Sequence, residues 1–166
     1  MKKLIMIGGT MGVGKTTVSH LLKKELHHSV MLDGDWCWDM HPFIVNDETK
    51  KMVMDNIVYQ LQSFIHCSVI ENIIFCWVLH DQSIIDEICQ RLDTSQCQVY
   101  SISLLCDEDT LRQHLQKDID LKIRDESVIE RSLERMGHYH DLLTYKIDIS
   151  SLSPKEIVEC VLDYIQ

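Results

Sequence analysis

The chain has 166 residues, 45% hydrophobic and 25% charged, which suits one soluble domain large enough to bury a full α/β core. A formal net charge of −10 argues against a polyanionic partner, because nucleic-acid affinity rests on Lys and Arg neutralising phosphates. Seven cysteines, an odd number with no Cys-x-x-Cys pair, read as reduced thiols rather than a disulfide frame or a zinc site.

In chain order, Lys3–Ile7 is a short apolar run that predicts a buried strand. Lys2, Lys3 and this run superficially resemble a signal sequence, but the apolar part is too short and ends in glycines. Val18, Leu21, Leu22 and Leu26 then recur at helical spacing. Val30–Leu32 predicts a second strand, ending in Asp33-Gly34-Asp35. A helix follows from Asp47 or Glu48 to about His66, with Met52, Ile57, Leu61 and Ile65 among its inward residues. Ile73–Val78 is the third strand, and Asp81 is placed to cap a helix carrying Ile84, Ile85, Ile88 and Leu92. Val99–Leu104 is the fourth strand, and Leu111 and Leu115 mark the next helix. From Gln116 to about 126 the apolar pattern weakens and charges accumulate, the signature of a mobile, solvated segment. Ser127 and Glu130 stand at capping-box spacing before another helix, and Tyr145–Ile149 is the last strand. Ser153, Pro154 and Glu156 open the final helix, whose buried stripe is Ile157, Val161, Leu162 and Ile165. Alternating strands and helices predict a parallel sheet flanked by helices, in one domain over residues 1–166. The longest apolar run, Ile73–Leu79, is far below a membrane span, and a cytoplasmic location is expected.

The stretch Gly9-Thr10-Met11-Gly12-Val13-Gly14-Lys15-Thr16 has the spacing of a phosphate-cradling loop, the P-loop or Walker A pattern. Wrapping a polyphosphate brings successive backbone N–H groups, here from Gly9, Met11, Gly12, Val13 and Gly14, close to its oxygens, and glycine removes the side chains that would intervene. Lys15 then reaches the β- and γ-phosphates, the Thr16 hydroxyl takes a position on Mg²⁺, and Thr17 is a helper or a plain helix residue. A preceding strand and a following helix N-terminus supply the context in which the helix dipole adds to those donors.

The glycine loop, the Asp33-Gly34-Asp35 turn, the charged segment ending in Arg124, and the run Arg131–Met136 leading to Lys146-Ile147-Asp148 together resemble the small-molecule and nucleotide kinases of the P-loop superfamily over nearly the whole chain. Gluconate, shikimate and adenylylsulfate kinases, chloramphenicol-type phosphotransferases and nucleotide-kinase-like bacterial ATPases are nearest in character. The resemblance implies a three-layer α/β/α fold with five parallel strands ordered 2-3-1-4-5, an acceptor site beside the second strand, and a lid at about 116–126. It implies ATP and Mg²⁺ as cofactors and a small-molecule acceptor (nucleoside or nucleotide, sugar acid, or antibiotic) that receives the γ-phosphate on a hydroxyl or phosphate.

By that resemblance Asp35 is the base and Asp33 the Mg²⁺ or substrate ligand, the alternative being a plain turn. Arg124 is the first choice for the cation that stabilises the transferring phosphoryl group, with Arg112, Lys117 and Arg131 behind it; Arg112 is also assigned to the nucleotide. Ion pairing on a solvated helix, with Arg131 and Arg135 alternating with Glu130 and Glu134, is the competing reading. Trp36, Trp38, His41 and Phe43 read as an acceptor pocket or as ordinary core. Ser150, Ser151 and Leu152 fall where such kinases cradle adenine. One departure stands out: no carboxylate closes the third strand, which runs into His80 before Asp81. A nucleotide-binding regulatory module without phosphotransfer therefore remains the alternative, and a polynucleotide-end kinase is disfavoured by the acidic charge.

Overall fold

A computed structural model describes residues 1–166. Five parallel strands, β1 (Lys2–Gly8), β2 (Ser29–Asp33), β3 (Asn72–Cys76), β4 (Cys97–Leu105) and β5 (Tyr145–Asp148), form one sheet in the order β2-β3-β1-β4-β5. The predicted order and layering are thus the observed ones. Five α-helices lie in the crossovers, α1 (Lys15–Glu25), α2 (Asp47–His66), α3 (Gln82–Arg91), α4 (Glu108–Asp120) and α5 (Val128–Met136), and α6 (Pro154–Tyr164) follows β5.

Strand side chains alternate between faces, so each buried strand feeds two cores. Leu4 and Met6 of β1, with Ile73 and Phe75 of β3, pack against Val53, Ile57 and Leu61 of α2 and Ile85 and Ile88 of α3. Ile5, Ile7, Ile74 and Cys76 point the other way, onto Val18 and Leu22 of α1 and Ile157 and Val161 of α6. A third, small cluster of Leu111, Leu115 and Val128 joins α4 to α5 outside the sheet.

Chain breaks follow local chemistry. Asn46 and Thr49 form a capping box at α2, and Ser153 and Glu156 form the expected one at α6, with Pro154 at its start. Asp81 accepts from the Ser83 N–H at 2.8 Å, as a cap of α3 should. The box expected at Ser127 and Glu130 does not form. Ser127 is itself helical in backbone, and both its N–H and its hydroxyl donate to the Asp125 carboxylate, which lies nearer than Glu130 in the turn.

Among the boundaries that differ from expectation, two shape the site. β3 stops at Cys76; the Trp77 N–H still donates to the Ile7 carbonyl at 3.2 Å, and the chain then leaves the sheet through Leu79 at φ 38°. Helix α4 continues through Gln116 to Asp120 despite the lost apolar pattern, held by polar i,i+4 pairs such as Gln116 with Asp120 at 2.8 Å. Only the stretch from Leu121 to Ser127 lies between helices. All seven cysteines are free thiols, and no helix is long and apolar enough to cross a membrane.

Candidate active site

At the carboxyl edge of the sheet, where β1 turns into α1, a cleft of about 360 Å³ opens between the glycine loop, the end of β2 and helix α4. Its floor is Met11–Val18. Gly12 has φ 83°, and a Cβ there would fall 2.5 Å from Leu115 Cδ2, so the loop lies flush on α4. Gly14, with φ 102°, is the N-cap of α1 and offers no capping side chain, and the first turn of α1 carries no acid. The backbone donors of that turn are therefore open to an anion, with the helix dipole behind them.

Lys15 lines the cleft and donates from Nζ to the Thr10 carbonyl at 2.9 Å, closing the loop on itself. Burial lowers its amine from 10.5 to about 8, against the opposing pull of Asp35 and Asp33. Thr10 is buried, and its hydroxyl donates to the Ser132 carbonyl of α5 at 2.8 Å. Thr16 donates to Asp33 Oδ2 at 2.8 Å, so the two groups expected at the metal are in contact. Asp33 Oδ1 also accepts the Asp35 N–H at 3.1 Å, which folds the Asp-Gly-Asp segment into a short 3-10 turn, Gly34–Trp38.

That turn carries Asp35 to the cleft. Its Oδ1 accepts from Trp77 Nε1 at 3.2 Å. Burial, and next the charge of Asp33, push the Asp35 carboxyl above its ordinary value; Lys15, the Trp77 N–H and Arg124 pull it down. A carboxylate whose value is raised accepts a proton more readily than one at its ordinary value.

From the opposite wall, α4 and the segment after it contribute His114, Lys117, Asp118 and Arg124. Arg124 is in the cleft, with Nε on Asp118 Oδ2 at 3.0 Å, and it bears on both Lys15 and Asp35. Arg112 is not there. It donates from Nε and Nη2 to Glu108 at 2.9 and 2.7 Å on the outer surface. Two residues of helix separate it from His114, roughly 160° round the axis, so when His114 faces the loop Arg112 faces away. Of helix α4, the cleft is lined not by Arg112 but by His114, whose Nδ1 lies 3.1 Å from the Gly12 carbonyl, by Lys117 and by Asp118. No sequence motif marks His114; only the phase of α4 does. Arg131 and Arg135 also depart from expectation. Neither pairs with Glu130 or Glu134, since Arg131 donates to Ser127 and Arg135 stands beside His80 and Tyr139.

Where a strand-closing carboxylate was sought, Cys76 ends β3 in register with Asp33, its thiol pushed up to about 12, by burial above all, and so neutral. Asp81 is spent on the cap of α3. No cluster of three or more His, Cys, Asp or Glu is set to hold a metal. Thr16, Asp33 and Asp35 are nevertheless all-oxygen donors converging on the loop, a set that fits a hard divalent cation.

The far end of the cleft is apolar: Ile149, Leu152, Pro154 and Ile157. Ser150 does not face it, because its hydroxyl accepts the Asp107 N–H and donates to Asp148. The aromatic residues split. Trp77 is buried, Trp38 lies tilted at 41° between it and Phe43 with centroids 6.5 and 5.8 Å away, and Trp36 and Phe43 are exposed.

The profile of a family described as an AAA domain matches residues 5–137. Among solved structures, the tunicamycin resistance protein of Deinococcus radiodurans superposes with a TM-score of 0.74 at 17% identity, covering 99% of this chain and 96% of its own. A gluconokinase of Sinorhizobium meliloti gives 0.71 at 15% identity, over 97% and 90%. A sugar kinase of Janibacter gives 0.71 at 14% identity, over 99% and 95%. At such identities the likeness is one of fold. No curated protein matches by sequence.

Proposed function

Because the chain belongs to the AAA domain family and has the fold of P-loop small-molecule kinases, we propose that it is a phosphotransferase moving the γ-phosphate of ATP to a small acceptor. The observation that carries this reading is the convergence of Lys15, Thr16, Asp33, Asp35 and Arg124 on one cleft floored by the glycine loop. The loop amides and Lys15 hold the phosphates, and the apolar strip of Ile149, Leu152 and Ile157 takes the base. Thr16 and Asp33 would hold Mg²⁺ directly or through water, with phosphate oxygens completing its shell; the ion, when bound, neutralises charge on the phosphates.

Asp35 receives the proton of the acceptor hydroxyl as that oxygen bonds to the γ-phosphorus. The bond from phosphorus to the β–γ bridging oxygen breaks, and ADP leaves with its electrons. Arg124, released from Asp118, offsets charge on the equatorial oxygens.

Acceptor-stimulated ADP release tests the reading. Lys15→Ala should abolish it in a protein that still folds, and Asp35→Asn should lower kcat by about 10²–10⁴ with nucleotide affinity retained. Unchanged turnover in either variant refutes the corresponding role. Cys76 at the end of β3, in place of a carboxylate, favours a second reading: an ATP-dependent binding module without transfer. That reading expects tight nucleotide binding and no turnover with any acceptor.

A further inference from the structure

Three acids line the cleft beside its three Lys and Arg cations: Asp33 and Asp35 at the end of β2 and Asp118 on α4, against Lys15, Lys117 and Arg124. Asp33 is engaged by the Thr16 hydroxyl and the Asp35 N–H, and Asp35 by Trp77. The Asp118 carboxylate has one partner, Arg124, whose Nε donates to Oδ2 at 3.0 Å. Arg124 in turn makes no hydrogen bond or ion pair with any other residue.

The backbone builds this pair. Helix α4 ends in a Schellman turn: Lys122 takes the left-handed position at φ 57° and donates its N–H to the Ile119 carbonyl at 2.8 Å, and the Ile123 N–H donates to the Asp118 carbonyl at 2.9 Å. The chain thereby doubles back over the last turn of α4, and Arg124 lands beside the residue whose carbonyl closes the turn. With side chains 34% and 31% exposed, the two charges are only partly screened, and neither is free of its partner without cost.

One guanidinium thus has two claimants. In the transfer step Arg124 meets the γ-phosphate, and to do so it must leave Asp118, whose carboxylate then stands partly buried with no partner. That cost offsets part of what the phosphate contact contributes. A diphosphate makes no claim on Arg124 and leaves the pair intact.

We infer that Asp118 is a positioning residue: it parks Arg124 in the empty and ADP-bound protein, and so limits how strongly the cleft favours a triphosphate over a diphosphate. The inference rests on the phosphotransferase reading.

Calorimetry on the full chain with Mg²⁺ compares a non-hydrolysable ATP analogue with ADP. Asp118→Asn should tighten the analogue about tenfold and move ADP by less than about twofold. Asp118→Glu, which keeps a charged acceptor for Nε, should leave the ratio of the two affinities within about twofold of the parent. In an Arg124→Gln background Asp118→Asn should widen that ratio by less than about twofold, since no guanidinium is left to park. The Arg124 Nε–H resonance, identified by its loss in Arg124→Gln, should shift with the analogue and with Asp118→Asn, but stay in place with ADP. Equal tightening of both nucleotides, no tightening of the analogue by Asp118→Asn, Asp118→Glu behaving like Asp118→Asn, or the same widening without Arg124 overturns the inference while the kinase reading stands. Failure of the parent chain to bind either nucleotide overturns both.

Discussion

Lys15 makes the strongest quantitative test. Its amine is held down to about 8, first by burial, yet it must be charged to grip phosphate. Below pH 8 the free protein already carries that charge; above it, binding must take up a proton, so affinity falls as pH rises. The neutral fraction increases the free-state penalty from a factor of about 1.3 at pH 7.5 to about 11 at pH 9, a loss of about eightfold or ~1.3 kcal/mol. Calorimetry with ATP analogue in two buffers of different ionisation enthalpy reads both the affinity and the proton uptake. Lys15→Arg, charged across this range, should bind with a flat profile even where its affinity is lower. Equal affinity at pH 7.5 and pH 9 with no proton taken up would refute the lowered value of the Lys15 amine. The same shift bears on the empty protein: between about 8 and the ordinary value of 10.5 the unfolded chain binds the extra proton, so stability should rise with pH across that window.

Arg124→Ala should lower turnover by about 10²–10³, whereas Arg112→Ala, which removes only an exposed pair with Glu108, should leave it within about twofold; steady-state kinetics on both separates the cleft-facing arginine from the outward one. Gly34→Ala drives a methyl into the Trp77 ring and should destabilise the chain by about 1–3 kcal/mol, seen as a lower melting temperature and an altered tryptophan spectrum.

How much of this could be read from residues alone depended on whether the signal was local. β1, the glycine loop and α1 were legible because an apolar run, a fixed Gly-Lys-Thr spacing and a helical repeat abut one another, and the start of α6 because Ser153, Pro154 and Glu156 satisfy each other within four residues. The meeting of Thr16 with Asp33, and of Asp35 with Lys15, followed from strand order once the sheet was correctly ordered. Helix phase was not legible in α4. Its apolar stripe is two leucines, too few to show that His114 and Lys117 face the loop while Arg112 faces out. Competition between neighbours was also hidden: Ser127 had a capping partner in Glu130 by spacing, but Asp125 was closer. The aromatic residues could not be divided between core and surface, because Trp38 and Trp77 find each other only through tertiary packing.

The hydrogen bond from Thr10 to the Ser132 carbonyl ties the phosphate loop to a helix 122 residues further on, just past the segment that carries Arg124. A nucleotide in the loop should therefore brace α5 through this bond, and any movement of the Leu121–Ser127 connection should be felt at the loop. Amide protons of Val128–Met136 should exchange more slowly once nucleotide is bound, although no atom of that helix need touch it. Thr10→Val would cut this mechanical link and leave the two regions to breathe separately.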